Sequence, residues 1–458
     1  MTHQITAALS RRLLLAGMVA LPAAALLPRP VSAQHAGASA LLLSLADLHS
    51  PYARLPQLLG EIDRIRADSG LPVAVAINGD VFERGNVVAL RSGGAADLEF
   101  LAALTLRGPV ILNLGNHETA LVDDMATTVA RAEGLGIEVI GNIVDARRGR
   151  FFAPASTRFA LGGMRVGALG LAPTNPFVYR APVRETLQFL DPAAFAADMF
   201  PGVAAGSDAA LLLSHAGVMD DRSILPGLPA GSVMVGGHDH LSFQHDGESA
   251  PYVHGGSWGG MLTVIGLAPG MRPSVEMRAV SPDMPGDEGL ADIIAAQMGE
   301  HLTDEERAVI GESAVARDLP ASILFATEAV RAATEADVAM LGHTTFGQPI
   351  PMGAVTRYDF DACIRFDGDL RVAEVSGAEL ARILTRANQH RATSLDQRTG
   401  DFVHAAEIDI DPAATYRLAV NGWTAMNQQV YLGTDALEFV PVEGLSLKAV
   451  VAEALAAS

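Results

Sequence analysis

The chain has 458 residues, 49% of them apolar and 18% charged, with 45 Gly and 25 Pro. That balance excludes a disordered or collagen-like chain and allows two or three domains of about 150 residues. Asp plus Glu number 52 against 32 Lys plus Arg, a formal charge of −20, and an acidic surface repels the phosphate backbone, so no nucleic-acid polymer is expected as a partner. Cys363 is the one cysteine, which rules out an intrachain disulfide and a metal site built from several thiolates.

At the N-terminus, Arg11 and Arg12 precede the apolar run 13–27, and Val31-Ser32-Ala33 offers a small-residue cleavage site. Residues 1–33 therefore read as an export signal. Ser10-Arg11-Arg12-Leu13-Leu14-Leu15 resembles a twin-arginine signal, the route for proteins exported already folded, and predicts a periplasmic location. No later run is long and apolar enough for a stable membrane span after processing.

From 41 to about 267, apolar strand-like runs at 41–46, 73–77, 110–114, 209–213 and 233–235 alternate with helical text. Leu55, Leu58, Leu59, Ile62 and Ile65 recur at helical spacing, as do Leu98, Leu101 and Leu104. This predicts a layered α/β domain over 34–272, central sheets flanked by helices. Around 269–289 the pattern breaks into Pro, Gly, Met and Asp before helical text at 290–301, so 273–301 is expected to be a linker and helix. Strand-like 338–341, 370–375 and 416–420 and helix-like 378–387 predict a smaller α/β domain over 302–458.

The chemically weighty residues follow the strands: Asp47-Leu48-His49, Gly79-Asp80, Gly115-Asn116-His117-Glu118, His215, and Gly237-His238-Asp239-His240. Strand ends hold loops rigidly, which is where α/β folds build ligand sites. Mixed oxygen and nitrogen donors suit Zn, Mn, Fe or Co; Mg or Ca would want oxygen alone and Cu(I) would want sulfur. Each group alone is commonplace. Five in order, each closing an apolar run and together using five of the thirteen histidines, make a joint site the stronger explanation.

In order and spacing these groups resemble the calcineurin-like metallophosphoesterases, and within them the two-domain 5′-nucleotidase family. The resemblance implies two divalent metal ions, Mn, Zn or Fe: one held by Asp47, His49 and His240, the other by Asn116, His215 and His238, with Asp80 bridging. Two such ions about 3.5–4 Å apart make hydroxide available near neutral pH and clamp oxyanions, so a metal-bound hydroxide is expected to attack phosphorus in line. His117, beside Asn116 but outside the metal shell, is expected to stabilise the transition state or protonate the leaving oxygen. The expected substrate is a small anionic phosphate ester such as a nucleotide, by monoester or diester cleavage. Arg84 is a candidate for its phosphate, Phe366 for stacking on a base, and His254 for facing the metals. Glu118 is a candidate for holding its loop.

The chain departs from the family in three places. Gly347, in Gly342-His343-Thr344-Thr345-Phe346-Gly347, stands where the family has a recognition arginine. Gly433-Thr434-Asp435-Ala436-Leu437 lacks the family's second clamp aromatic, while Arg365-Phe366 aligns with its Pro-Phe. Thr119 and Ala120 follow Glu118 where the family places an acid that polarises the histidine; the nearest acids are Asp123 and Asp124. Two alternatives stay open: a sulfur-ester hydrolase resembling the periplasmic sulfate thiol hydrolase of sulfur oxidation, whose protein partner the residues do not identify, and a metal-dependent binding module without turnover.

Overall fold

The computed structural model describes residues 35–457, so the export signal expected at 1–33 lies outside them. β1 (Ala40–Ala46), β2 (Val73–Asn78), β3 (Val110–Asn113) and β4 (Glu138–Ile140) run parallel. Intervening helices, among them Leu55–Ser69 and Ala95–Thr105, return the chain. A parallel neighbour requires such a crossover. β5 (Ser156–Leu161), β6 (Met164–Leu171), β7 (Ala209–Ser214), β8 (Ser232–Gly236), β9 (Ser242–Asp246) and β10 (Pro251–Gly255) form a second sheet in the order β9-β10-β8-β7-β6-β5. β11 (Met261–Leu267) and β12 (Ser274–Ala279) return to the first, giving β12-β11-β1-β2-β3-β4.

The two sheets share an inner layer in which Leu42, Ala76 and Ile111 meet Ala168, Leu211 and Val235. One residue along, Leu41, Leu43 and Leu45 point the other way into helix residues Leu58, Leu59 and Ile62. Both faces of β1 are therefore buried, which is why its text is an unbroken apolar run. Leu212 and Met234 do the same on the far side, against Phe200 and Val203.

The stretch expected to break at 269–289 instead carries β12, paired antiparallel with β11 from Met261↔Ala279 to Gly266↔Ser274. It is an edge strand with mostly half-buried side chains; Ser274-Val275-Glu276-Met277-Arg278-Ala279 does alternate polar and apolar residues, the period of a half-buried strand, within surroundings rich in Pro and Gly that read as a break. The expected helix runs Glu288–His301, capped by Asp287 accepting from Leu290 N, and Leu290 and Ile294 pack into the first domain's core.

In the second domain β13 (Val338–Gly342), β14 (Asp369–Ser376), β15 (Val403–Ala405), β16 (Thr415–Asn421) and β17 (Val440–Ser446) form a sheet ordered β15-β13-β16-β14-β17. Helices Leu319–Ala333 and Leu447–Ala456 cover one face and Gly377–Leu384 the other. The domains dock through polar contacts: Arg91 on Glu306 at 2.7 and 2.8 Å, Tyr358 hydroxyl to Asn86 Oδ1 at 3.2 Å, and Arg222 donating to the carbonyls of Asp396 and Arg398, each at 2.8 Å. Among the described residues no helix is long and apolar enough to cross a membrane.

Candidate metal centre

Two asparagines bring the strand ends of the two sheets together. Asn78, closing β2, donates through Nδ2 to the carbonyls of Ser214 at 2.9 Å and Val235 at 3.0 Å, on β7 and β8. Asn113, closing β3, donates through Nδ2 to Asn78 Oδ1 at 2.9 Å and to the Leu171 carbonyl of β6 at 2.8 Å. Both are fully buried. They were not among the residues singled out from sequence; the available signal was an amide ending each of two otherwise apolar strands.

The loops beyond these ends are strained. Asp47, His49, Asp80, His238 and His240 all have left-handed backbones, with φ of 49, 54, 55, 79 and 57°. For a residue with a Cβ this costs about 1–2 kcal/mol, and such outliers gather at functional sites. Hydrogen bonds hold them: Asp47 N to the Gly79 carbonyl at 3.1 Å, His49 N to the Asp80 carbonyl at 2.9 Å, and Trp258 N to the Asp47 carbonyl at 2.8 Å. Glycine is required at two neighbouring points. A Cβ on Gly79 would lie 2.3 Å from His215 Nδ1, and one on Gly115 would lie 2.4 Å from Asp80 Oδ1.

Two donor groups result. In the first, His49 Nε2 and His240 Nε2 face each other at 2.9 Å, with Asp47 Oδ1 3.8 Å from the His240 nitrogen. In the second, Asp80, His215 and His238 converge, and Asn116 Oδ1 lies 3.0 Å from His238 Nδ1. Asp80 Oδ2 stands between them, 3.8 Å from His49 Nε2 and 3.2 Å from His215 Nε2. The other oxygen of Asp80 accepts from His117 N at 2.6 Å.

His215 Nδ1 donates to the Asn78 carbonyl at 2.7 Å, so in the neutral ring the Nε2 lone pair faces the Asp80 carboxylate. Two acceptors at that distance repel unless a proton or a cation lies between them. Among the protein groups alone, burial pushes Asp47 up to about 7 despite the pull of His215. Burial also lowers His49 to about 4 and His238 to about 3, keeping both in the neutral form that a metal binds. For His215 burial works downward, but Asp80 and Asp47 outweigh it and raise the ring to about 10. Carboxylates that hold an extra proton there would hold a divalent cation in the same place, so these residues fit a two-cation centre.

His117 is a quarter exposed and sets its ring edge-on to His49, 4.7 Å between centroids. Its Nδ1 lies 3.5 Å from Glu83 Oε2, the same oxygen that is 3.3 Å from His49 Nδ1 and paired with Arg365 Nη2. Burial works against the charge on Glu83, but Arg365, His117 and His49 outweigh it and hold the carboxyl well below its usual range. The next acids along the chain after Glu118 do other work: Asp123 pairs with Arg180 and Asp124 caps helix Met125–Gly134. Glu83 and Arg365 were not singled out as site residues in the sequence. The usable signal for Glu83 was an acid directly after the buried pair Val81-Phe82.

Arg365 belongs to the second domain, is 6% exposed, and lies between the rings of Trp258 and Phe366, 5.1 Å from each centroid. Trp258 stacks on His49 at 4.9 Å. Gly347, at the place of the family's arginine, is closed in: a Cβ would lie 2.4 Å from the Ala362 carbonyl and 3.0 Å from the Trp258 ring. No longer side chain fits there while Trp258 holds this position. Phe366 is 56% exposed and Arg84 is exposed. His254 is buried on β10, stacked on Phe243, with Nε2 3.7 Å from Asp221. Glu118 is buried and accepts from Asp80 N at 3.2 Å, bracing the loop that carries Asp80.

The family model of calcineurin-like phosphoesterases matches residues 41–163, and that of the 5′-nucleotidase C-terminal domain matches 302–434. An uncharacterized metallophosphoesterase of Bacillus subtilis, YunD, is 27% identical over 203 residues, 42% of this chain and 42% of that protein; the chain spans about two fifths of that curated relative's length. Among solved structures the fold is similar to a 5′-nucleotidase precursor from Thermus thermophilus, with TM-score 0.60 and 19% identity over 91% of this chain and 96% of that one. It is also similar to a sulfate thiohydrolase, SoxB, of Thermus thermophilus, with TM-score 0.62 and 18% identity over 92% and 94%. The chain thus carries a calcineurin-like phosphoesterase domain followed by a 5′-nucleotidase C-terminal domain, and calcineurin-like phosphoesterases are hydrolases that use a dinuclear metal centre.

Proposed function

We propose that this phosphoesterase-family chain hydrolyses a small phosphate ester, such as a nucleotide, and that it does so in the periplasm after export on residues 1–33. The observation that carries the hydrolytic assignment is Asp80 Oδ2 standing between two donor groups, 3.8 Å from His49 Nε2 and 3.2 Å from His215 Nε2. Asp47, His49 and His240 would hold one divalent ion, Asn116, His215 and His238 the other, with Asp80 shared. Such ions, Mn, Zn or Fe by the chemistry of the donors, supply Lewis acidity toward water and phosphate oxygens.

The protein's own groups do the rest. The two carboxylates and the strained loops set the donors before substrate arrives, so no reorganisation is needed at the moment of reaction. His117, partly exposed beside the donors, gives its Nε2 proton to the departing oxygen as the ester P–O bond breaks; water supplies the oxygen that replaces it on phosphorus. Phe366 at the domain junction offers a face for an aromatic base, and the exposed Arg84 a charge for phosphate.

The test is phosphate release by the Mn- or Zn-loaded protein from 5′-AMP, a cyclic 2′,3′-nucleotide and a bis-aryl phosphodiester, with Asp80→Ala as control. Turnover of at least one ester, lost about 10³-fold or more together with bound metal in Asp80→Ala, is the expected result. Full turnover in that variant refutes the assignment of Asp80. The enclosure of Gly347 by Trp258 and Ala362, which leaves no room for the family's recognition arginine, favours one second reading: a sulfur ester as substrate. Metal-replete silence on all three phosphates with sulfate release from a thiosulfonate would establish that reading.

A further inference from the structure

The loop His238-Asp239-His240 carries two of the expected metal donors, and both histidines have left-handed backbones, with φ of 79 and 57°. Strain of that kind persists only where surrounding contacts over-determine the conformation. From its own domain the loop is held by Asp47, whose carboxylate accepts from His238 N at 2.9 Å, and by Val218 N, which donates to Asp239 Oδ2 at 2.5 Å. The second domain adds to this hold. His343 Nε2 lies 3.4 Å from the His240 carbonyl oxygen, and Gly400 is packed so tightly on Asp239 that a Cβ there would stand 2.6 Å from the carboxylate carbon.

Gly400 belongs to a strap, residues 389–402, that crosses from the second domain onto the first. It ends in an apolar plug: Phe402 is fully buried, and the core cluster it joins is that of the first domain's second sheet, with Leu225, Leu241 and Tyr252. Leu241 directly follows His240. Phe402 also stacks on the His343 ring at 4.5 Å and its carbonyl accepts from His343 N at 2.9 Å, so the plug is tied to the residue that meets His240. Further back, the Arg398 guanidinium lies over Phe243 of β9, 4.0 Å from the ring centroid, and Arg222 of the first domain donates to the carbonyls of Asp396 and Arg398. The Gln389 side chain closes the strap on itself, donating to Thr399 Oγ1 at 2.7 Å and accepting from Thr399 N at 2.8 Å.

We propose that this strap is a positioning element for the metal centre: by seating Phe402 in the first domain it holds the His238–His240 loop in its metal-binding conformation, and divalent ions are retained firmly only while the strap is docked. Burying one large aromatic ring is of the same order as the backbone penalty of two left-handed residues, so undocking leaves the loop free to relax. Groups that orient metal ligands from outside the donor set change affinity by about 10–100-fold. The second domain thereby takes part in metal retention without supplying a ligand.

The inference rests on the assignment of His238 and His240 as metal ligands and not on the substrate. Zinc transfer from the loaded full-length chain to a chromophoric chelator is timed for wild type, Phe402→Ala, Arg222→Met and Leu380→Ala. Leu380, on helix Gly377–Leu384, is equally buried but in the second domain's own core, so its loss costs packing without touching the strap. Release is expected to be about 10–100-fold faster than wild type in Phe402→Ala, about 3–10-fold faster in Arg222→Met, which leaves both cores filled, and within about threefold of wild type in Leu380→Ala. Release no faster in Phe402→Ala and Arg222→Met than in Leu380→Ala overturns the inference. A second readout needs no metal: in the metal-free chain, amide hydrogen exchange at 237–241 should quicken about tenfold or more in Phe402→Ala and hold the wild-type rate in Leu380→Ala. Unchanged exchange in Phe402→Ala overturns the inference as well. A wild type that binds no divalent ion overturns the metal assignment and this inference with it, whereas a wild type that holds zinc yet cleaves no phosphate ester overturns only the hydrolytic reading.

Discussion

Gly79→Ala and Gly163→Ala form a matched pair that tests how the centre is held. Both glycines have φ of +79°, so an added Cβ meets the same backbone penalty at each, about 1–2 kcal/mol. Gly163 lies in the turn between β5 and β6 with nothing within 4 Å of its would-be Cβ. At Gly79 that carbon would lie 2.3 Å from His215 Nδ1 and 2.7 and 2.8 Å from two ring carbons. The ring is fully buried and cannot retreat without giving up its 2.7 Å bond to the Asn78 carbonyl. A buried polar group left unpaired costs about 1–3 kcal/mol. Gly79→Ala should therefore cost about 2–5 kcal/mol and Gly163→Ala about 1–2. At about 2–4 °C per kcal/mol for a domain of this size, calorimetry should show the midpoint falling by about 4–20 °C in the first and about 2–8 °C in the second, the first always by more. Metal affinity should fall about 10–100-fold in Gly79→Ala alone, since only there is the tautomer-setting bond disturbed. Equal midpoints for the two variants, with metal content unchanged, would refute the view that His215 is clamped between Gly79 and Asn78.

Asn113→Leu removes the donor to Asn78 Oδ1 within the bridge between the sheets, and should destabilise by about 1–3 kcal/mol in denaturant titration. Adding Asn78→Leu should then cost less than the sum of the single changes, and strict additivity would show that the two amides do not act as a pair. Asp97 is buried under Tyr52, whose hydroxyl donates to it at 2.9 Å, and burial raises its carboxyl to about 7. A folded-state value above the unfolded one means the folded protein binds the proton more tightly, so stability is lost as pH rises from about 4 through about 7. The neutral Asp97→Asn avoids that loss. Its stability relative to wild type should rise by about 2–3 kcal/mol between pH 5 and pH 8 at saturating metal, and a flat difference would contradict an ionising Asp97.

The donors of the centre were visible in the amino-acid order because the same constraint acts locally on each. A ligand must sit on a rigid loop beside a residue that permits a sharp turn, and this leaves Gly79-Asp80, Gly115-Asn116 and Gly237-His238 at the ends of apolar runs. β1, β2, β7 and β8 were equally legible, since burial on both faces forces continuous apolar text. The edge strand β12 was missed although its six residues alternate polar and apolar, because the run is short and the Pro and Gly on either side of it read as a break. Nor were the long-range pairings. Asn113 meets the Leu171 carbonyl 58 positions away, and Arg365 meets Glu83 across 282. A glutamate after Val81-Phe82 is compatible with a solvated turn until folding buries it, and an arginine in the second domain has no local reason to be opposite it. Local sequence determined which residues can bind metal; the docking of two sheets and then of two domains decided which acid stands behind His117, because that contact exists only when residues distant in the chain are desolvated together.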